Sequence, residues 1–279
     1  MVSPQDYTIF FSKLYEFSPT STISLFVIAL FRLGPIITLA PFLGAKLPAM
    51  PKMGLLVAIT IIFLPHIALT AQTAVPYNPM FIVFAIKELF IGFILAFLIN
   101  IPFQFVQTAG ALIDFLRGAS SLQVTDPFSQ AQTSPVGNLY NYVLIAAFYT
   151  LGGPFYFFDS LVASYSLIPV DAMINPIFFS AGQAFWQTIM ALATKVVALS
   201  IQLSAPSLLA IMMTEVFLGI ANRLAPQVQI TFLGMSVKSL LGLALLCLGW
   251  MFILQQVEKQ TILWLKEIDR LLLLIPRGH

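Results

Sequence analysis

Charge is scarce in this sequence: 9% of its 279 residues are Asp, Glu, Lys or Arg, against about 25% in ordinary soluble domains. The hydrophobic share is 59%. A compact soluble fold of this length could not bury so much apolar surface, so the surroundings of the chain are lipid or other protein. The net charge of +2 is too small to steer nucleic acid or an acidic substrate. A single cysteine, Cys247, lies in an apolar run, which excludes a disulfide framework within one chain. Two histidines, His66 and His279, leave little for a metal site. There is no phosphate-binding glycine loop, no Gly-x-Ser-x-Gly elbow and no His-Glu-x-x-His pair. Asp114 and Asp126 could form a carboxylate pair, but the loop between them fixes no mutual geometry. The sequence therefore predicts neither an enzyme nor a bound cofactor or metal. The first 22 residues contain Asp6, Lys13 and Glu16 and no basic n-region before an apolar stretch, so a retained N-terminus is expected.

What is present is a series of long apolar runs. A helix needs about 20 apolar residues to cross a bilayer, and runs of that kind fall at 23–43, 53–71, 80–106, 139–168, 177–220 and 230–254. The fifth is long enough for two passes, and Pro206 sits where it would divide or kink. Pro35 and Pro41 interrupt the first run, and Pro102 falls near the end of the third. No run shows the alternation that a transmembrane barrel requires. The expected fold is all-α, built of hydrophobic helical hairpins of membrane-protein type in one unit, 1–279. N-terminal hydrophobic helices occupy 1–109, a polar segment 110–137, C-terminal hydrophobic helices 138–254, and an amphipathic cytoplasmic tail 255–279. In the tail Val257, Leu265, Ile268, Leu272 and Ile275 recur at helical spacing. Such a helix can pack on its own protein, or dock on a partner or a headgroup layer.

Orientation is contradictory. Lys46, Lys52 and Arg117 place their loops on the cytoplasmic side. Six passes would then put Lys259, Lys266, Arg270 and Arg277 outside, while splitting the fifth run moves Arg223 outside instead. Half-length hairpins buried in an assembly would give the same hydropathy.

Charges set within apolar runs are Arg32, the neighbours Lys87 and Glu88, Lys195, Glu215 and Lys238. Such charges face a cavity or a partner, or snorkel from a helix end. As sequence neighbours, Lys87 and Glu88 point about 100° apart on a helix and are not expected to pair with each other. Pairing between subunits is the functional expectation. The polar segment 110–137 exceeds the usual loop length of about 12–15 residues, yet Leu112, Ile113, Phe115, Leu116, Leu122, Val124 and Phe128 punctuate it. Gly110 and Gly118 allow close approach or left-handed turns, and Asp126-Pro127 opens a stiff turn. A plain connector is one reading. The other is a structured re-entrant or pore-lining loop, since irregular backbone at membrane depth is tolerated only beside protein or water.

Three stretches carry a resemblance to a known family. The first is 110–137, with Ile113-Asp114, Arg117-Gly118-Ala119-Ser120, Asp126-Pro127 and Ser134-Pro135. The second is Gly152-Gly153 followed by Ser164-Tyr165 and Pro169. The third runs from Ala205-Pro206 through Glu215, Gly219, Asn222-Arg223 and Pro226-Gln227 to Gly234 and Lys238. In order and spacing they resemble the T component of bacterial type III secretion systems (SctT), whose flagellar counterpart is FliR. The Asp114/Arg117 combination looks more like the injectisome branch than the flagellar one, although a flagellar-type component is an alternative.

The resemblance implies a subunit of the protein-export gate in the bacterial inner membrane, shaped like a fusion of the R and S components. Its implied partners are the R and S components (SctR and SctS), the U and V components, and unfolded secreted polypeptides. It implies a core raised toward the periplasm. It also implies that Gly110, Asp114, Phe115, Leu116, Arg117, Gly118, Asp126 and Pro127 belong to a loop that closes the channel. Phe115 and Leu116 would be the apolar plug, and Asp114 and Arg117 would hold it shut. Lys87, Glu88, Pro206, Glu215, Arg223, Pro226, Gln227 and Lys238 would have intersubunit or structural roles. A secondary transporter of a small solute is the competing class, because broken helices can also house a solute site.

Overall fold

The computed structural model of the chain describes residues 19–44, 47–71, 73, 77–118, 134–179, 184–224 and 230–273. Every regular element among them is helical. The α-helices are α1 (Pro19–Leu39), α2 (Ala49–Thr70), α3 (Pro79–Leu116), α4 (Pro135–Thr150), α5 (Gly153–Leu167), α6 (Ala184–Leu224), α7 (Ile230–Leu248) and α8 (Trp250–Leu273). Short 3-10 turns occupy Pro41–Leu43 and Pro176–Phe179. Among the described residues α1, α2, α3 and α6 are each long and apolar enough to cross a membrane. At a rise of about 1.5 Å per residue, α3 spans roughly 57 Å and α6 roughly 61 Å. Both exceed a hydrocarbon core of about 30 Å, so neither is a simple perpendicular crossing.

The described residues fall into two compact units. The first draws on Met1–Asn100, Gly152–Met190 and Trp264–His279. In it α1 packs on α2, and Leu25, Ile28, Leu33 and Ile36 of α1 are almost fully buried. Phe42 meets Phe157 edge-on at 5.3 Å, and Phe63 lies 5.8 Å from Phe158, which brings α5 to the same core. The second unit draws on Ile101–Leu151 and Ala191–Leu263. There the buried residues Phe103, Phe105, Val106, Ala109 and Ile113 of α3 share a core with Tyr140, Leu144 and Phe148 of α4. Phe103 and Phe148 are 5.7 Å apart. The Ser200 hydroxyl of α6 donates to the Phe105 carbonyl at 3.0 Å and ties α6 to α3.

Several helix boundaries differ from expectation, each for a local reason. The run 139–168 is two helices, α4 and α5, because Gly152 adopts a left-handed conformation (φ +72°) that glycine reaches without steric cost. The run 177–220 is one continuous helix from Ala184, and Pro206 does not divide it. The last apolar run breaks at Gly249, and the helices on either side meet at 63°. The tail helix therefore starts at Trp250, not at residue 255. Its buried residues Ile253, Val257, Thr261 and Trp264 recur at helical spacing, while Glu258, Lys259 and Arg270 are exposed. The segment 110–137 is not loop throughout: α3 runs to Leu116 and α4 begins at Pro135.

Candidate functional site

Two buried charge clusters stand out, one in each unit. In the first unit Arg32 of α1 and Glu88 of α3 are both fully buried. The guanidinium holds the carboxylate with two bonds: Nε donates to Oε2 at 2.5 Å and Nη2 to Oε1 at 2.7 Å. Planar bidentate pairing of this kind is what arginine is shaped for. Nη2 also donates to the Ile168 carbonyl at 2.8 Å and Nη1 to the Ser164 hydroxyl at 3.3 Å. The Tyr165 ring lies under the guanidinium, 4.1 Å from its carbon. Gly92, one turn beyond Glu88, lets α1 come close: a Cβ there would be 2.4 Å from the Arg32 carbonyl oxygen.

Lys87 joins the same cluster. Its Nζ donates to the carbonyls of Pro169, Val170 and Ala172 at 2.8, 2.9 and 2.9 Å. It also lies 2.8 Å from Glu88 Oε1. Adjacent residues do meet here, against expectation, because the flexible lysine stem lets the ammonium fold back. All the accepting carbonyls lie in the irregular segment just past α5, where the Pro169 carbonyl also accepts from the Ala172 N–H at 3.3 Å. Beside them Asp171 Oδ2 accepts from the Thr73 N–H at 2.7 Å and from the Thr73 hydroxyl at 2.9 Å.

The second cluster joins the end of α3 to the start of α4. Ser134 caps α4, its hydroxyl accepting from the Gly137 N–H at 2.9 Å. That hydroxyl donates in turn to Asp114 Oδ2, which also accepts from the Val136 N–H at 2.9 Å. A carboxylate is favoured at a helix N-terminus, so Asp114 belongs electrostatically to α4 although it is carried by α3. Arg117 Nη2 lies 2.5 Å from Asp114 Oδ1. This is an ionic contact rather than an aligned bond, since Asp114 Oδ1 and Arg117 Nε make no hydrogen bond. Both side chains are buried. A Cβ on Gly242 of α7 would lie 3.9 Å from Arg117 Cβ and Cδ. Gly118 follows with φ +81°, and its N–H returns to the Phe115 carbonyl at 3.2 Å.

Phe115 is 67% exposed between these buried neighbours, and Leu116 is half-buried. Gly110 is buried against α4. Glu215 of α6 and Lys238 of α7 pair with each other within the chain, with their side chains 50% and 21% exposed. Pro206 and Arg223 are exposed on α6. Asp126, Pro127, Pro226 and Gln227 lie outside the described residues.

The charges expected to pair between subunits thus find partners inside the chain: Glu88 with Arg32 and Lys87, and Glu215 with Lys238. Ser164, Tyr165 and Pro169 pointed to a family on sequence but to no role, and all three contact the buried cations. Ser134 likewise belonged to the family pattern on sequence but pointed to no role, and Val136 gave no signal.

The model of the bacterial export proteins, family 1, matches residues 23–262. The chain is 30% identical over 191 residues to Yop proteins translocation protein T of Yersinia pestis, covering 68% of this chain and 70% of that protein. It is 27% identical over 219 residues to surface presentation of antigens protein SpaR of Shigella flexneri, covering 76% and 80%. It is 25% identical over 227 residues to flagellar biosynthetic protein FliR of Escherichia coli, covering 81% and 84%. These similarities lend no support to a small-solute transporter.

Proposed function

The chain belongs to the bacterial export proteins, family 1, and from that premise we propose that it is the T subunit of a type III export gate whose α3–α4 connection closes the polypeptide channel. It is an apolar helical protein of the bacterial inner membrane and works beside other export-gate subunits, which we take to be the R, S, U and V components. It performs no catalysis and needs no cofactor in this reading. Its core stands raised toward the periplasm, which accounts for helices too long, or too short and too charged, to be plain crossings.

The observation that carries the gate role is the arrangement at the end of α3. Asp114 and Arg117 are buried and paired, while Phe115 between them presents an apolar ring outward. A charged clasp on one side and a bare aromatic on the other suit a closure element held from behind. Asp114, with Ser134, joins the two ends of the connection; Gly118 supplies the turn; Phe115 and Leu116 form the plug, with Asp126 and Pro127 assigned to the same connection. Glu215, Lys238, Pro206, Arg223, Pro226 and Gln227 order the late helices for assembly.

The test is a photocrosslinking amino acid at Phe115 in the assembled complex, challenged with a stalled export substrate. A crosslink to the substrate is the expected result. Crosslinks to neighbouring subunits alone would show that this part of α3 lines no channel.

A further inference from the structure

α3 is a 38-residue helix with a proline in its interior. Pro102 has no N–H, so the carbonyl four residues earlier, Leu98, loses its usual helical donor. Leu98 is 1% exposed, away from bulk water, and an unsatisfied buried carbonyl is costly. A substitute donor comes from the other end of the sequence: the indole Nε1–H of Trp264 donates to the Leu98 carbonyl at 3.2 Å, in a buried contact. Trp264 sits on α8, on the buried stripe of Ile253, Val257 and Thr261. The tail helix thus reaches the one place where the backbone bonding of α3 is interrupted.

We propose that Trp264 is a positioning residue, a strap that holds α3 across its Pro102 break. Engagement of Trp264 then governs how firmly α3 holds its geometry at Pro102. A proline bends a helix because its ring crowds the carbonyl four residues back and leaves that carbonyl without a donor; a donor fixed on that carbonyl holds the bend at one angle. Coupling of this kind is reciprocal: whatever loosens α8 frees the bend, and whatever bends α3 loosens α8. That the bend matters for closure rests on the gate reading above; the strap itself does not.

The experiment is a double-mutant cycle on the assembled complex. Trp264→Phe keeps an aromatic ring and removes the donor; Pro102→Ala restores the backbone N–H and makes the donor unnecessary. Hydrogen exchange over residues 98–109 of α3 is expected to quicken about tenfold in Trp264→Phe, the scale of one lost buried hydrogen bond. It is expected to change little when Trp264→Phe is made on Pro102→Ala. Equal acceleration in both backgrounds would mean that Trp264 only packs, and would overturn the strap. If Trp264→Phe does not assemble, assembly becomes the readout: rescue by Pro102→Ala supports the coupling, and failure in both backgrounds overturns it. Ion conductance of the closed complex is measured alongside. Coupled exchange with unchanged conductance upholds the strap and counts against the gate reading.

Discussion

Gly110 and Gly137 meet backbone to backbone, so closely that a Cβ on Gly110 would fall 2.4 Å from the Gly137 Cα and nitrogen. One glycine ends a turn of α3 and the other belongs to the first turn of α4. The Asp114–Ser134 clasp lies one turn beyond this crossing. Neither backbone can retreat without breaking it.

Gly110→Ala is therefore expected to destabilise the chain by about 1–3 kcal/mol, the usual cost of forcing atoms into a packed contact. Gly219→Ala, in an exposed part of α6 with no atom within 4 Å of the added carbon, is expected to be neutral or to stabilise by up to about 1 kcal/mol. Thermal unfolding of the two variants in the same detergent compares them directly. Equal melting temperatures would contradict the close crossing.

In the Arg32–Glu88–Lys87 cluster one anion serves two cations, and the three deletions should not be equivalent. Glu88→Gln leaves Arg32 buried without its carboxylate partner and Lys87 with only the weaker influence of Asp171, and should cost most, about 3–5 kcal/mol. Lys87→Met leaves the bidentate Arg32–Glu88 pair intact and should cost least, limited to the carbonyls it abandons. Arg32→Lys cannot reproduce the fork that reaches Glu88 and Ile168 together, so it should behave as a loss. A melting series in which Lys87→Met is the worst of the three would refute this ordering.

Asp114→Ala removes the partner of the Ser134 hydroxyl and the Val136 N–H, and strands the Arg117 charge. A loss of about 3 kcal/mol is expected, together with ion leak through the closed complex. Adding Arg117→Leu to Asp114→Ala should recover much of the stability, because the stranded charge is gone, but not the closure. Denaturation and conductance on the single and double variants separate the two effects. If the double variant is less stable than Asp114→Ala, the stranded-charge account fails.

Phe115→Ala should leave unfolding within about 0.5 kcal/mol of the parent, as expected for an exposed side chain, while raising conductance of the closed complex. A variant that assembles normally and stays sealed would remove Phe115 from the plug.

Glu215 and Lys238 form a partly exposed pair, a class worth about 0–1 kcal/mol. Glu215→Leu and Lys238→Leu should barely move the unfolding of the chain but should lower co-purification with the other gate subunits. Unchanged co-purification would leave the pair without an assembly role.

Composition and apolar run pattern together determined that this chain is helical, apolar and surrounded by something other than water. With 9% charge and runs of twenty or more apolar residues, only helices or a closed barrel satisfy the backbone at membrane depth, and the lack of strand alternation leaves helices. The spacing of Asp114 and Arg117 was legible too, since residues three apart on a helix share a face. Periodicity could not say which helix a charge would meet. Arg32 finds Glu88 across 56 residues of sequence, and Trp264 finds Leu98 across 166. Pro102 and Pro206 look alike in the sequence as helix interruptions, yet both helices continue through them. A proline states which bond is missing; only the packing of distant segments decides which group supplies it.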